Sequence, residues 1–247
     1  MNWKTFLCIA GFGTLASVAT QATSAEVSAT ATFTGFSYTL IDLDPDDGVS
    51  PSFTMTQPYY SVSVANYLDN SGFPHLVDQL LQPGTAVIDD ASGTAQSSYD
   101  GTTASSSVTI HEGSPYFQSN TFLQWKFTLS PHTSLTLSGH GAVHSGQVGE
   151  VRTGAYIQLY AMHSTSSDPF FYPYFNDDLS TNDGDQSRHM NITFASDTTQ
   201  INGSLGFTTN AAGRDWPPVA TPVPEPSTYV MLFCGLITLA CAVRRKA

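Results

Sequence analysis

Leu123-Gln124-Trp125-Lys126-Phe127-Thr128-Leu129, then Ser130-Pro131-His132-Thr133-Ser134, then Leu135-Thr136-Leu137, reads as two runs of strict apolar–polar alternation around a short polar segment. Successive side chains of a strand point to opposite faces, so this period of two places Leu123, Trp125, Phe127, Leu129, Leu135 and Leu137 on one buried face. Pro131 fits position i+1 of a type I turn, and the stretch predicts a hairpin. The pattern recurs in both directions. Val27, Ala29, Ala31 and Phe33 alternate, and after Gly35 the phase slips to Phe36, Tyr38 and Leu40, which predicts a strand with a glycine bulge. Further strands follow from Tyr60, Val62 and Val64; Val108 and Ile110; Ala155, Ile157, Leu159 and Ala161; Met190, Ile192 and Phe194; and Leu205 and Phe207. The expectation is an all-β fold of about nine strands, an antiparallel β-sandwich of jelly-roll-like kind. A short helix is expected at His75 to Leu81, stopped by Pro83-Gly84.

Composition supports a β protein and narrows its chemistry. The 247 residues carry 20 acidic against 8 basic side chains, a net charge of −12. Between residues 26 and 223 the only cations other than histidine are Lys126, Arg152, Arg188 and Arg214. Such a surface repels nucleic acid, which is not an expected partner. The cysteines, Cys8, Cys234 and Cys241, all lie near the two ends. The middle of the chain therefore has no thiol nucleophile, thiolate metal site or disulfide, and must rely on its core.

The ends carry targeting signals. Residues 1–25 combine Lys4, an apolar run from Phe6 to Ala19 and the small-residue stretch Ala22-Thr23-Ser24-Ala25. This predicts a secretory signal peptide cut by signal peptidase after Ala25. Residues 26–212 form the sandwich ectodomain, and 213–223, with Pro217, Pro218 and Pro222, a stiff linker. Residues 224–247 open with Pro224-Glu225-Pro226-Ser227-Thr228, continue as an apolar run from Tyr229 to Val243, and end in Arg244-Arg245-Lys246-Ala247. At 1.5 Å per residue the run reaches about 22 Å, short against a hydrocarbon core of roughly 30 Å. A single, weak transmembrane helix is expected, its basic stop held on the cytoplasmic side.

Pro224-Glu225-Pro226, the short apolar segment and the basic end together resemble the PEP-CTERM sorting signal. Phe127-Thr128-Leu129-Ser130-Pro131-His132-Thr133 also resembles a stretch in ectodomains of PEP-CTERM proteins. The resemblance implies an exosortase as partner, transient anchoring in the inner membrane, then delivery to the cell surface or outside the cell, in bacteria that make exopolysaccharide. It implies no activity.

Candidate sites in the ectodomain are few. Asp42, Asp44 and Asp46, before Asp47-Gly48, and Asp178, Asn182 and Asp183, before Gly184, space oxygens as a calcium loop does. Both depart from the EF-hand pattern: glycine falls one place late, and Phe53 and His189 stand where its bidentate glutamate belongs. Exposed turns are the commoner use of such residues. His140 and His144, four apart, span about 13 Å on a strand, too far for one ion without a bulge. No nucleophile elbow, His-Glu-x-x-His or phosphate-binding loop occurs, so no cofactor and no catalytic residue is expected. Glu112 and Glu150 are the carboxylates a glycan hydrolase would first recruit. Tyr59-Tyr60 and Phe170-Phe171-Tyr172-Pro173-Tyr174-Phe175 are dense in aromatics, and Phe171, Tyr172 and Tyr174, beside Asn176-Asp177-Asp178, suit stacking on sugar rings. Core packing is the commoner use of these as well. The leading expectation is a non-enzymatic exported surface or extracellular-matrix protein associated with exopolysaccharide; the alternatives are a carbohydrate-binding module and a secreted glycan hydrolase.

Overall fold

The computed structural model describes residues 26–67, 75–111, 116–148, 151–164 and 173–215. The expected signal peptide, the sorting segment 224–247, and Glu112, Glu150, Phe171 and Tyr172 lie outside these residues. Among the described residues the chain forms thirteen strands and one 3-10 turn: β1 (Val27–Asp42), β2 (Phe53–Tyr67), β3 (Leu76–Leu80), β4 (Gly84–Asp90), β5 (Gly93–Tyr99), β6 (Thr103–Ile110), β7 (Tyr116–Leu129), β8 (Thr133–Ser145), β9 (Gln147–Val148), β10 (Val151–His163), β11 (Tyr174–Ser180), β12 (Gln186–Ala195) and β13 (Ile201–Asp215), with the turn at Thr181–Asp183. All pair antiparallel, in two sheets. One has the order β12-β8-β1-β6-β5-β4, the other β11-β10-β13-β7-β2-β3, with the two-residue β9 beside β10. No described helix is long and apolar enough to cross a membrane.

The alternating residues do what their period demands. Phe33, Leu123, Leu129, Leu135, Leu137, Ile157, Leu159, Leu205 and Phe207 all lie in the interior between the sheets. Phe33 from one sheet meets Phe207 from the other at a ring separation of 4.5 Å. The bulge in β1 is where the phase slip places it. Gly35 has φ 65°, and the β1–β8 register shifts between Thr34 and Ser37. Glycine adopts that conformation most readily, having no Cβ, and the extra residue turns Phe36 inward to stack on Trp125, 5.4 Å away.

Three expectations are corrected. The segment read as a helix, His75 to Leu81, holds the strand β3, paired with β2 from Val62↔Leu80 to Asn66↔Leu76. A seven-residue helix has almost no stability of its own, and an open sheet edge offers five of its residues pairing instead. The expected linker begins too early, because β13 continues through Gly213 and Arg214 to Asp215, opposite Val151 to Thr153 of β10.

The third correction concerns the predicted hairpin. Its two strands belong to different sheets: β7 pairs with β2 and β13, and β8 with β1 and β12. Ser130-Pro131-His132 is a corner that carries the chain from one sheet to the other. His132 has φ 48°, which excludes the type I turn. The corner is held from outside itself: the amide of His132 donates to the Asp197 carbonyl at 2.9 Å, Thr133 donates to the Ser196 hydroxyl at 3.0 Å, and that hydroxyl donates to the Ser130 carbonyl at 2.5 Å.

In place of disulfides, hydroxyl pairs cross the interior. Ser97 of β5 meets Thr121 of β7 at 2.6 Å, and Ser106 of β6 meets Thr209 of β13 at 2.8 Å, all four side chains being fully buried. The sandwich is also clasped along both sides. Arg188 of β12 makes a two-pronged bond to Asp177 of β11, at 2.6 and 3.0 Å, and Asp177 accepts the amide of Asn191 at 2.8 Å. On the opposite side, Asp78 of β3 accepts the amide of Val87 of β4 at 3.2 Å.

Candidate functional site

The outer face of the seven-stranded sheet carries a row of aromatic rings. In β10, Ala155, Ile157, Leu159 and Ala161 point into the core, so Tyr160 points outward with Tyr156 and Gln158. By the same alternation Phe122 leaves the outer face of β7, between the inward Thr121 and Leu123. Tyr174 of β11 lies against Tyr160 at 6.2 Å and 23°; Tyr160 lies against Phe122 at 6.2 Å and 18°; Phe122 meets Tyr59 of β2 edge-on at 6.0 Å. The four rings cross five strands, about 19 Å at 4.8 Å per strand.

A missing side chain makes the row continuous. Tyr160 and Phe122 sit on strands separated by β13, where Tyr160 faces Gly206, which in turn faces Gln124. A Cβ at Gly206 would lie 2.0 Å from the Leu123 carbonyl oxygen and 3.0 Å from the Tyr160 hydroxyl. Without one, the Tyr160 ring lies flat over β13 and reaches Phe122. Tyr160 is thereby 4% exposed although it faces away from the core, whereas Tyr59 and Tyr174 at the two ends are each 49% exposed. Burial pushes the Tyr160 hydroxyl well above its ordinary range.

Polar groups flank the rings. Asp178 accepts from Tyr156 and Gln158, each at 3.0 Å, and from the Asn176 side chain at 2.6 Å. Burial and then the Asp178 charge raise the Tyr156 hydroxyl, so it stays a donor across the physiological range. Beside Phe122, Thr208 donates to Asn120 at 3.1 Å. Flat apolar faces bordered by carboxylate, amide and hydroxyl groups match a pyranose ring, whose C–H face stacks and whose rim hydroxyls seek partners.

Tyr174 is therefore placed where a sugar platform needs it, with Phe175 turned inward against Phe194 at 5.3 Å. Phe122 and Tyr160 were missed by sequence reasoning. Their signal was phase: each is a large aromatic on the polar beat of a strand whose other beat is already filled by core residues.

The acidic loops come out differently from their sequence reading. Asp178 lies within the strand β11, its carboxylate held on the sheet face by the three side chains above, while Asn182 and Asp183 belong to the 3-10 turn that follows. His144 bonds the carboxylate of Asp185, and His140 lies 3.4 Å from the Ser187 hydroxyl. In the first loop, Asp42 turns back to accept the amide of Asp44. Among the described residues the carboxylate and imidazole groups that converge are Asp44, Asp47 and His132, with donor atoms all within 4.8 Å of one another; Asp42 and Asp46 are not in that group. Asp47 lies 2.5 Å from Nδ1 of His132, a bond that lowers the Asp47 carboxyl, together with the Val49 amide, and raises the imidazole. Asp47 was passed over because the expected spacing used alternate positions, and His132 because it lies 85 residues away in sequence.

No protein-family model matches the chain, and no curated protein matches it. Among solved structures, one described as a carbohydrate-binding module from the beta-sandwich superfamily aligns over 74% of this chain and 96% of its own, at 12% identity and a TM-score of 0.18. An overlap that loose carries no argument here.

Proposed function

We propose that this chain is a non-enzymatic exported surface protein whose sandwich binds a polysaccharide along the aromatic row. The observation that carries the reading is the row itself: Tyr174, Tyr160, Phe122 and Tyr59 on one outward face, exposed at both ends and bordered by hydrogen-bonding groups. Stacking needs no charge on the ligand, and the net charge of −12 favours a neutral chain over an anionic one. Delivery follows from the ends of the sequence. Residues 1–25 direct export, and the Pro224-Glu225-Pro226 segment is the point at which an exosortase exchanges the anchor for display at the surface or in the extracellular matrix.

The test is affinity electrophoresis in gels cast with neutral polysaccharides and with the producer's own exopolysaccharide. The protein should be retarded by at least one of them. Tyr59→Ala and Tyr174→Ala should each release it while leaving the melting temperature within about 2 °C, because both rings are half-exposed and surface truncations cost little. Retardation that survives both substitutions would exclude the row as the binding surface.

A further inference from the structure

Three connections meet at one end of the sandwich, following β1, β7 and β12. The β1–β8 ladder runs to Asp42↔Thr133, and the next amide, Leu43, donates to the His132 carbonyl at 2.8 Å. His132 is tied to Asp197 as described, and Ser130 exchanges bonds with Ser52, amide to carbonyl at 3.0 Å and hydroxyl from amide at 2.7 Å. Backbone and buried hydroxyls therefore fix the Asp44-to-Asp47 loop against the His132 corner before any side chain of the cluster is considered.

We propose that Asp44, Asp47 and His132 bind a divalent cation of the zinc class. Nδ1 of His132 lies 2.5 Å from Asp47 and 3.9 Å from Asp44. Donors that share one ion at about 2.1 Å can be no more than about 4.2 Å apart, so both spacings are already within reach of a single metal. The donor set, one imidazole nitrogen with two carboxylates, is one that zinc accepts, whereas calcium requires six to eight oxygens. The charge also favours a cation: carboxylate oxygens of both Asp44 and Asp47 lie within 4 Å of one imidazole nitrogen. Binding at Nδ1 replaces the hydrogen bond to Asp47; the displaced proton moves to Nε2 of a neutral ring, or to solvent from an imidazolium. Asp44 is half-exposed at its side chain, so water completes the coordination. The metal would join the β1–β2 connection to the sheet-crossing corner, a staple for a domain without disulfides.

The experiment uses the full chain with its cysteines alkylated, so that thiolates cannot compete. Zinc titrated calorimetrically should bind at one equivalent and raise the melting temperature above magnesium and calcium controls at equal concentration. His132→Asn is the first variant, because asparagine tolerates the positive φ of that corner. Asp44→Asn is the second, at a half-exposed carboxylate that meets His132 only at 3.9 Å. Each should weaken zinc binding at least tenfold. The proposal is overturned if zinc gives no rise in melting temperature, if calcium gives an equal rise, or if both variants bind as the parent does.

Discussion

The buried pair Ser106–Thr209 offers a sharp test of how the two sheets are held together. The Ser106 hydroxyl donates to the Thr209 carbonyl at 3.0 Å and meets the Thr209 hydroxyl at 2.8 Å, and both residues are fully buried. In Thr209→Val the serine keeps its carbonyl acceptor, so the loss is one net hydrogen bond, about 0.5–1.5 kcal/mol. Ser106→Ala strands the threonine hydroxyl in an apolar interior, which costs about 1–3 kcal/mol in addition to the bonds removed. The double substitution leaves nothing unsatisfied and should be less destabilised than Ser106→Ala alone. Urea unfolding of the four proteins measures this directly, with the slope unchanged and only the midpoint moving. In thermal melts about 1 kcal/mol corresponds to a shift of roughly 2–4 °C for a domain of this size. A double mutant destabilised by as much as the sum of the single effects, or by more, would refute the account of a matched pair.

Three further outcomes are expected. Asp100 accepts the amides of Thr102 and Thr103 and the Thr102 hydroxyl, bonds that lower its carboxyl below the ordinary 3.8. Its contribution is therefore present above about pH 3.8 and lost as pH falls through the lower folded value; Asp100→Asn keeps an oxygen acceptor and should flatten that part of an acid-unfolding curve. Gly206→Ala should cost about 1–3 kcal/mol in urea unfolding and abolish polysaccharide retardation, since its Cβ meets the Leu123 carbonyl and displaces Tyr160; near-parental behaviour in both assays would contradict the packing argument. Replacing Pro224, Glu225 and Pro226 by alanine should leave export intact and hold full-length protein in the inner membrane, read by fractionation and C-terminal mass spectrometry; a surface form that still carries Tyr229 to Ala247 would refute sorting.

The sequence made those strands legible whose inward residues are large. β1, β7, β8, β10, β12 and β13 each declared itself through an alternating run that includes at least one Leu, Ile, Met or Phe, such as Phe33 in β1 and Ile157 and Leu159 in β10. β4 and β5 did not, because the inward Ala86, Ala95 and Ser97 carry little apolar contrast and the exposed Val87 sits directly beside the inward Ile88, which hides the alternation. Alternation also cannot distinguish two strands that pair from two that stack face to face, since both bury the same beat. That is why Leu123 to Leu137 read as a hairpin. The difference lies in the positive φ of His132 and in partners at Ser196 and Asp197, more than 60 residues away. The candidate sites were legible to the same degree: Tyr174 and Asp44 from local composition, Tyr160 and His132 only once distant strands were brought alongside.

The clasps along the two sides of the sandwich bear on how such a protein survives at high density. A sheet ends in free amides and carbonyls, an invitation for another copy to add its own strand. Here an aspartate from the facing sheet occupies one such amide on each side, Asp177 at Asn191 and Asp78 at Val87. At high concentration an unguarded rim would let copies of the chain add edge to edge. With one amide of each rim already taken, an added strand would lose part of its ladder there, while the broad faces, one of them carrying the aromatic row, stay open to neighbours.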